Sequence, residues 1–224
     1  MRTDGAALAL LLALALPAAA CGRGGADAPA ADTVRATPVE PTYDLSALGA
    51  GTGQTELERR YGRGALRHAD VPLGEGETAP GTVLFPGDSL RRVSIVWSDV
   101  RRTGISHVVL AGDTSRWTVA GGVTLGTRLT ALERLNGGPF TLAGFGWDYS
   151  GTVLDWQGGG LGRGPIAGRL LVRLAPTAAA RATPEGERDA QELAGDRPYP
   201  STHPAMRRLD PAIYEIVLDY SERP

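Results

Sequence analysis

The chain has a single cysteine, Cys21, and no lysine, so all 23 of its basic residues are arginine. One thiol excludes an intrachain disulfide and any cysteine-built zinc site. The missing lysine excludes a Schiff-base nucleophile, a P-loop phosphate lysine and a Ser-Lys dyad. Charge of one sign is also lacking. The 25 acidic residues nearly balance the arginines, for a net charge of −2, which is not the basic surface that nucleic acid requires. Aromatic residues make up only 6%. Long apolar runs are absent except for Ala6–Leu16, about half of what a bilayer-spanning helix needs.

That run sits in MRTDGAALALLLALALPAAA, residues 1–20. Arg2, partly offset by Asp4, gives a weakly positive start, Ala6–Leu16 an apolar core, Pro17 a helix break and Ala18-Ala19-Ala20 a small-residue cleavage site, the pattern of a secretory signal. Cys21 and Gly22 follow. The junction resembles the lipobox of bacterial lipoproteins, although Ala18 stands where that pattern favours Leu. The resemblance implies that the Cys21 thiol is acylated and becomes the mature N-terminus. Gly22, rather than Asp, resembles the signal for onward transfer to an outer membrane, facing the periplasm. Ordinary cleavage at the same bond, leaving a free protein, is the alternative. Residues 21–43 then form a linker. Its GRGGADAPAADTVRATPVEPT stretch (22–42) has almost nothing to bury and is expected to be a disordered tether a few tens of ångströms long, at about 5–6 Å × √n.

The rest of the chain contains an internal repeat. TELERRYG (Thr55–Gly62) and TALERLNG (Thr130–Gly137) are offset by 75 residues, and a Gly-Thr pair precedes each, Gly51-Thr52 and Gly126-Thr127. Both read as short helices. Thr52 and Thr127 are suitable N-caps, and Thr55/Glu58 or Thr130/Glu133 suitable capping boxes. Leu125, Leu129 and Leu132 form one apolar stripe with Glu133 on the exposed flank, and Gly62 and Gly137 end the helices. Strand-like segments follow: Thr82–Phe85, Arg92–Ser98, Ser106–Leu110 and Trp117–Ala120 after the first, then Phe140–Ala143, Thr152–Trp156, Arg169–Leu174 and Ile213–Tyr220 after the second. Val93/Ile95/Trp97, Leu170/Val172/Leu174 and Tyr214/Ile216/Leu218 each share a face.

The pattern predicts an α+β protein of two tandem units, residues 44–120 and 121–224, each a short helix followed by an antiparallel β-meander. It resembles the repeat of the beta-lactamase-inhibitor-like and SmpA/OmlA-type envelope proteins. That resemblance implies a non-catalytic module that binds another envelope protein.

No constellation for chemistry emerges. His68, His107 and His203 lack a second histidine or a carboxylate at metal-ligand spacing, and His107 reads as a strand residue facing solvent or a carbonyl. There is no nucleophile elbow. The glycine-rich Gly158–Gly164 precedes Pro165, not a helix, so it reads as a hairpin connection rather than a phosphate loop. Glu75 and Glu77 read as solvated loop charge. No catalytic residue, metal or cofactor is expected. The rival is a periplasmic enzyme or small-ligand carrier whose site is assembled from residues distant in sequence.

Two segments stand out. Five of the aromatics, Phe140, Phe145, Trp147, Tyr149 and Trp156, crowd into 17 residues. In GFGWDYSG an extended chain would place Phe145, Trp147 and Tyr149 on one face, with Asp148 opposite or in a turn. They serve either as core or as a binding anchor, and the expectation is a core Trp147 with Tyr149 partly exposed at the sheet rim. Pro176–Pro204, with five prolines and few apolar residues beyond alanine, reads as a long surface loop with one helical turn at Asp189–Leu193.

Overall fold

Alternating valine, isoleucine and leucine build the main sheet, because branched side chains pack well on a pleated, half-buried surface. The computed structural model describes residues 43–74 and 76–221. The signal at 1–20, Cys21, the tether at 22–42 and Glu75 lie outside the described residues. Strands β1 (Leu66–Gly74), β2 (Glu77–Leu84), β3 (Val93–Trp97) and β4 (Ile105–Ala111) form an antiparallel meander. The last strand, β9 (Ala212–Asp219), pairs antiparallel with β4, and β7 (Leu170–Ala175) pairs antiparallel with β9, completing the order β1-β2-β3-β4-β9-β7. A second, three-stranded antiparallel sheet has the order β6-β5-β8, with β5 at Thr141–Ala143, β6 at Val153–Asp155 and β8 at Pro198–Pro200. The fold is therefore α+β with antiparallel sheets, and strands from both halves of the chain share the larger sheet.

The core lies on one face of that sheet. Ile95, Val108, Leu110, Val172, Leu174, Ile216 and Leu218 are fully or almost fully buried. They share a cluster with Leu57 of α1 (Gln54–Tyr61), Leu129 and Leu132 of α2 (Leu129–Asn136), and Met206 and Leu209 of a later helix, Pro204–Leu209. The expected faces are confirmed at Leu170/Val172/Leu174 and at Ile216/Leu218. A register shift near Leu174 turns Ile213 inward and leaves Tyr214 only half-buried.

Both repeat helices are present and stop where glycine predicts. At the end of α2, Gly137 is left-handed (φ 78°), and the N–H groups of Gly137 and Gly138 donate to Arg134 O and Glu133 O. These bonds satisfy carbonyls that the helix end leaves open. The expected caps are corrected. The N-cap positions are Gly53 and Arg128, with no side-chain cap bond at either. Thr127 Oγ1 instead accepts from Thr124 N, while Asp210 Oδ1 accepts from Thr130 N at 3.4 Å. A carboxylate from a distant turn thus caps α2, which no local pattern could reveal.

The strand expected at Trp117–Ala120 is corrected to isolated bridges, Thr118 with Asp44 and Val119 with Val123. Trp117 is fully buried, donates its indole N–H to Arg91 O and meets the Tyr43 ring edge-on at 5.3 Å. Glycine-rich Gly158–Gly164 is not a hairpin, since β6 and β7 belong to different sheets. It wraps buried Asn136, whose amide donates to Gly138 O and Trp156 O and accepts from Leu161 N. Pro176–Pro204 is corrected from a loop to helices α3 (Ala178–Arg181) and α4 (Pro184–Glu192) plus strand β8. Thr177 and Thr183 cap those helices through their hydroxyls. Buried Asp189 receives two hydrogen bonds from Arg208 of α5 (Pro204–Leu209), at 2.6 and 2.9 Å, which hold its carboxyl below the usual carboxylate range.

One stability contrast follows from α2. Leu132→Ala is expected to lower stability by about 2–5 kcal/mol through lost transfer energy and a residual cavity. Glu133 is not on an exposed flank: it accepts from Ser201 Oγ at 2.5 Å and pairs with Arg207 at 2.7 Å. Glu133→Ala is therefore expected to lose about 1–3 kcal/mol, the scale of a charged hydrogen bond. Urea midpoints of the two variants check both figures. A Glu133→Ala midpoint equal to wild type would refute the bracing role.

Candidate functional site

The GFGWDYSG segment is the hairpin loop joining β5 to β6, and its backbone turns rather than extends. The expected common face is therefore corrected. Phe145 is buried at 7% exposure, whereas Trp147 and Tyr149 are 65% and 57% exposed, and Asp148 between them is exposed too. Trp147 is not a core residue. The scarce aromatics are divided: Trp117, Phe140 and Phe145 go to the interior, while two stand in solvent.

The loop is pinned at its base. Gly151 N–H donates to Gly144 O at 2.8 Å, closing the loop, and Ser150 N–H donates to Trp147 O at 2.9 Å across its tip. Phe145 bridges the segment after α4, donating its N–H to Leu193 O and accepting at its carbonyl from Gly195 N–H. Tyr149 N–H reaches Asp196 Oδ1 at 3.3 Å. Glycine is required at two of these points. A side chain on Gly144 would strike Leu193 O and Gly195 O, and one on Gly151 (φ 64°) would strike Leu174 O. The two segments that stand out in sequence are thus one device, with the 193–196 turn bracing the aromatic loop.

The histidines are placed as follows. His68 lies between Thr82 Oγ1 (3.1 Å from Nδ1) and Arg102 Nη1 (2.8 Å from Nε2). Arginine can only donate, so Nε2 is the acceptor and Nδ1 carries the proton. His203 Nε2 is 3.6 Å from Glu192 Oε1, and its ring meets Tyr199 edge-on. His107 corrects the reading of a solvent-facing or carbonyl-capped residue. Its Nε2 is 3.3 Å from Asp219 Oδ1, and its Nδ1 is 3.1 Å from Ser106 Oγ. Asp219 is far away in sequence, on β9 beside β4, so only the strand pairing His107↔Asp219 exposes this pair. Ser106 sits at a bulge and directs its hydroxyl to Val96 O at 3.2 Å. Among the described residues no group of three or more His, Cys, Asp or Glu is positioned to hold a metal. Glu77 opens β2 and is exposed.

Among the described residues no helix is long and apolar enough to cross a membrane. No family model matches the chain, and searches of curated proteins and of solved structures find no match.

Proposed function

We propose that this protein is a cell-envelope lipoprotein, anchored through acylated Cys21 at an outer membrane and facing the periplasm. Its α+β body binds another envelope protein through the loop carrying Trp147, Asp148 and Tyr149, with Phe145 as the buried root. The observation that carries the binding role is the exposure of two large aromatics on a loop whose base is closed by backbone bonds. Tryptophan and tyrosine bring large contact areas and dominate interface energetics. A pinned loop loses little freedom on binding, so more of that contact energy appears as affinity. The leader and the lone cysteine at its junction support the anchor.

The tandem organisation belongs to the same reading. Helices α1 and α2 are each eight residues long, and they begin and end 75 residues apart, in register with the sequence repeat. The first helix leads into the β1–β4 meander. The second leads into strands divided between both sheets, the departure expected if one copy has taken up the aromatic loop and its brace.

A photo-reactive amino acid at position 148, between the two exposed aromatics and expressed in intact cells, tests the interface. The expected result is a discrete adduct from position 148. None is expected from position 100, where Val100 is 98% exposed on a different loop. Equal labelling from both positions, or none from 148, would contradict the proposed surface.

A further inference from the structure

The face of the six-stranded sheet turned away from the core carries a recess of its own. Strand register places Val109, Val217 and Leu171 in one row across β4, β9 and β7. The row on one side holds Glu215 and Arg173, paired at 3.2 Å, and the row on the other holds His107 and Asp219. Same-face rows lie about 7 Å apart, so an apolar strip runs between two polar borders. The end of β1 overhangs it, and Pro72 and Leu73 join the lining. That approach depends on Gly81, where a side chain would collide with Ile95 O and with Val71, itself only 1% exposed. The cleft, partly open to solvent, measures about 240 Å³, just under the usual range for small-molecule pockets of about 300–1,000 Å³.

Not all of the charges around it are paired with one another. Arg173 neutralises Glu215. The Asp219 carboxylate faces His107 and accepts from Ser221 N–H and Oγ–H at 2.8 and 2.5 Å. Arg169 lines the same cleft, is exposed and makes no ion pair among the described residues. Its guanidinium lies 5.5 Å from the Tyr220 ring centroid and reaches the Asp219 carbonyl at 3.4 Å. A guanidinium ordered by an aromatic face is a preformed fork for a carboxylate. A cation would meet the guanidinium of Arg169, with Glu215 already paired with Arg173. A doubly charged phosphate would carry excess negative charge toward both. We propose that this cleft binds a short aliphatic monocarboxylate, with its tail on Val109, Val217 and Leu171 and its carboxylate on Arg169. The site is separate from the Trp147 loop and does not depend on the role given to that loop.

The test titrates butyrate, hexanoate and octanoate into the full mature chain, following the methyl resonances of Val109, Leu171 and Val217. Octanol and octylamine serve as uncharged and cationic controls. Affinity is expected to rise about fourfold per added methylene until the tail fills the cleft. Arg169→Gln should weaken octanoate binding by about tenfold or more, while Arg169→Lys retains part of it. Arg169 is exposed, so thermal melting should show both variants folded. Trp147→Ala should leave octanoate binding unchanged, which separates this site from the proposed protein interface. Octanol binding as tightly as octanoate, Arg169→Gln binding octanoate as wild type does, or unmoved strip methyls at millimolar octanoate would each overturn the assignment.

Discussion

Replacing Cys21 by serine is expected to transfer the protein from the membrane fraction to the soluble envelope fraction without altering the melting of its folded body. The sulfur of Cys21 is the only thiol in the chain, and no other residue can carry a thioether-linked lipid. A single myristoyl-length chain holds a protein only marginally, so the stable anchoring proposed here requires the several acyl chains of a lipoprotein. Fractionation after a high-salt wash, with mass measurement of the mature N-terminus, checks both halves of the expectation. Serine variant still embedded after the wash, or wild type with an unmodified cysteine, would remove the lipid anchor from the account.

The second large effect lies at the base of the aromatic loop. Gly151→Ala is expected to lower stability by about 3 kcal/mol or more, through strain at a positive φ combined with overpacking. The new methyl would strike Leu174 O, and the contacts it would disturb include Leu174 N–H to Gly151 O at 3.0 Å. Gly146 is the control. Its φ is 91°, but nothing lies within 4 Å of where a side chain would begin. Gly146→Ala should therefore lose only the cost of the left-handed backbone, about 1–2 kcal/mol. Equal urea midpoints for the two variants would mean that the loop base is not held as described.

The difference between these glycines marks where the sequence stops being legible. Regular alternation at Val93–Trp97 and Leu170–Leu174, and the Leu129/Leu132 stripe ended by Gly137, can be read locally because period and punctuation are local properties. Strand β1 shows no such pattern: LRHADVPLG does not alternate regularly and contains Pro72, which is tolerated because β1 is an edge strand. The caps of α2 are hidden for a different reason, since Asp210 reaches Thr130 only after the chain has folded back. Pro176–Pro204 reads as a loop because α3 is a four-residue alanine turn and α4, PEGERDAQE, carries no apolar stripe, and both draw support from threonine caps, α4 also from the Asp189–Arg208 pair. In GFGWDYSG the alternating aromatics suggest a strand face, yet the glycines beside them turn the backbone, so Phe145 goes inward and its neighbours outward. The recess beside Arg169 draws on β1, β4, β7 and β9, so no window of sequence contains it.

Binding through an exposed, pre-shaped aromatic loop is the central claim, and one paired measurement bears on it directly. Trp147→Ala and Tyr149→Ala, alone and together, are compared with wild type for thermal melting of the purified chain and for crosslinked adducts formed in the intact envelope. With Trp147 65% exposed, truncation removes little buried contact, so melting should shift by no more than the equivalent of about 0.5 kcal/mol. Adduct formation should fall as expected for loss of a hot spot worth about 2 kcal/mol or more, roughly thirtyfold in affinity. Folded variants that give the same adducts in the same yield as wild type would contradict the claim.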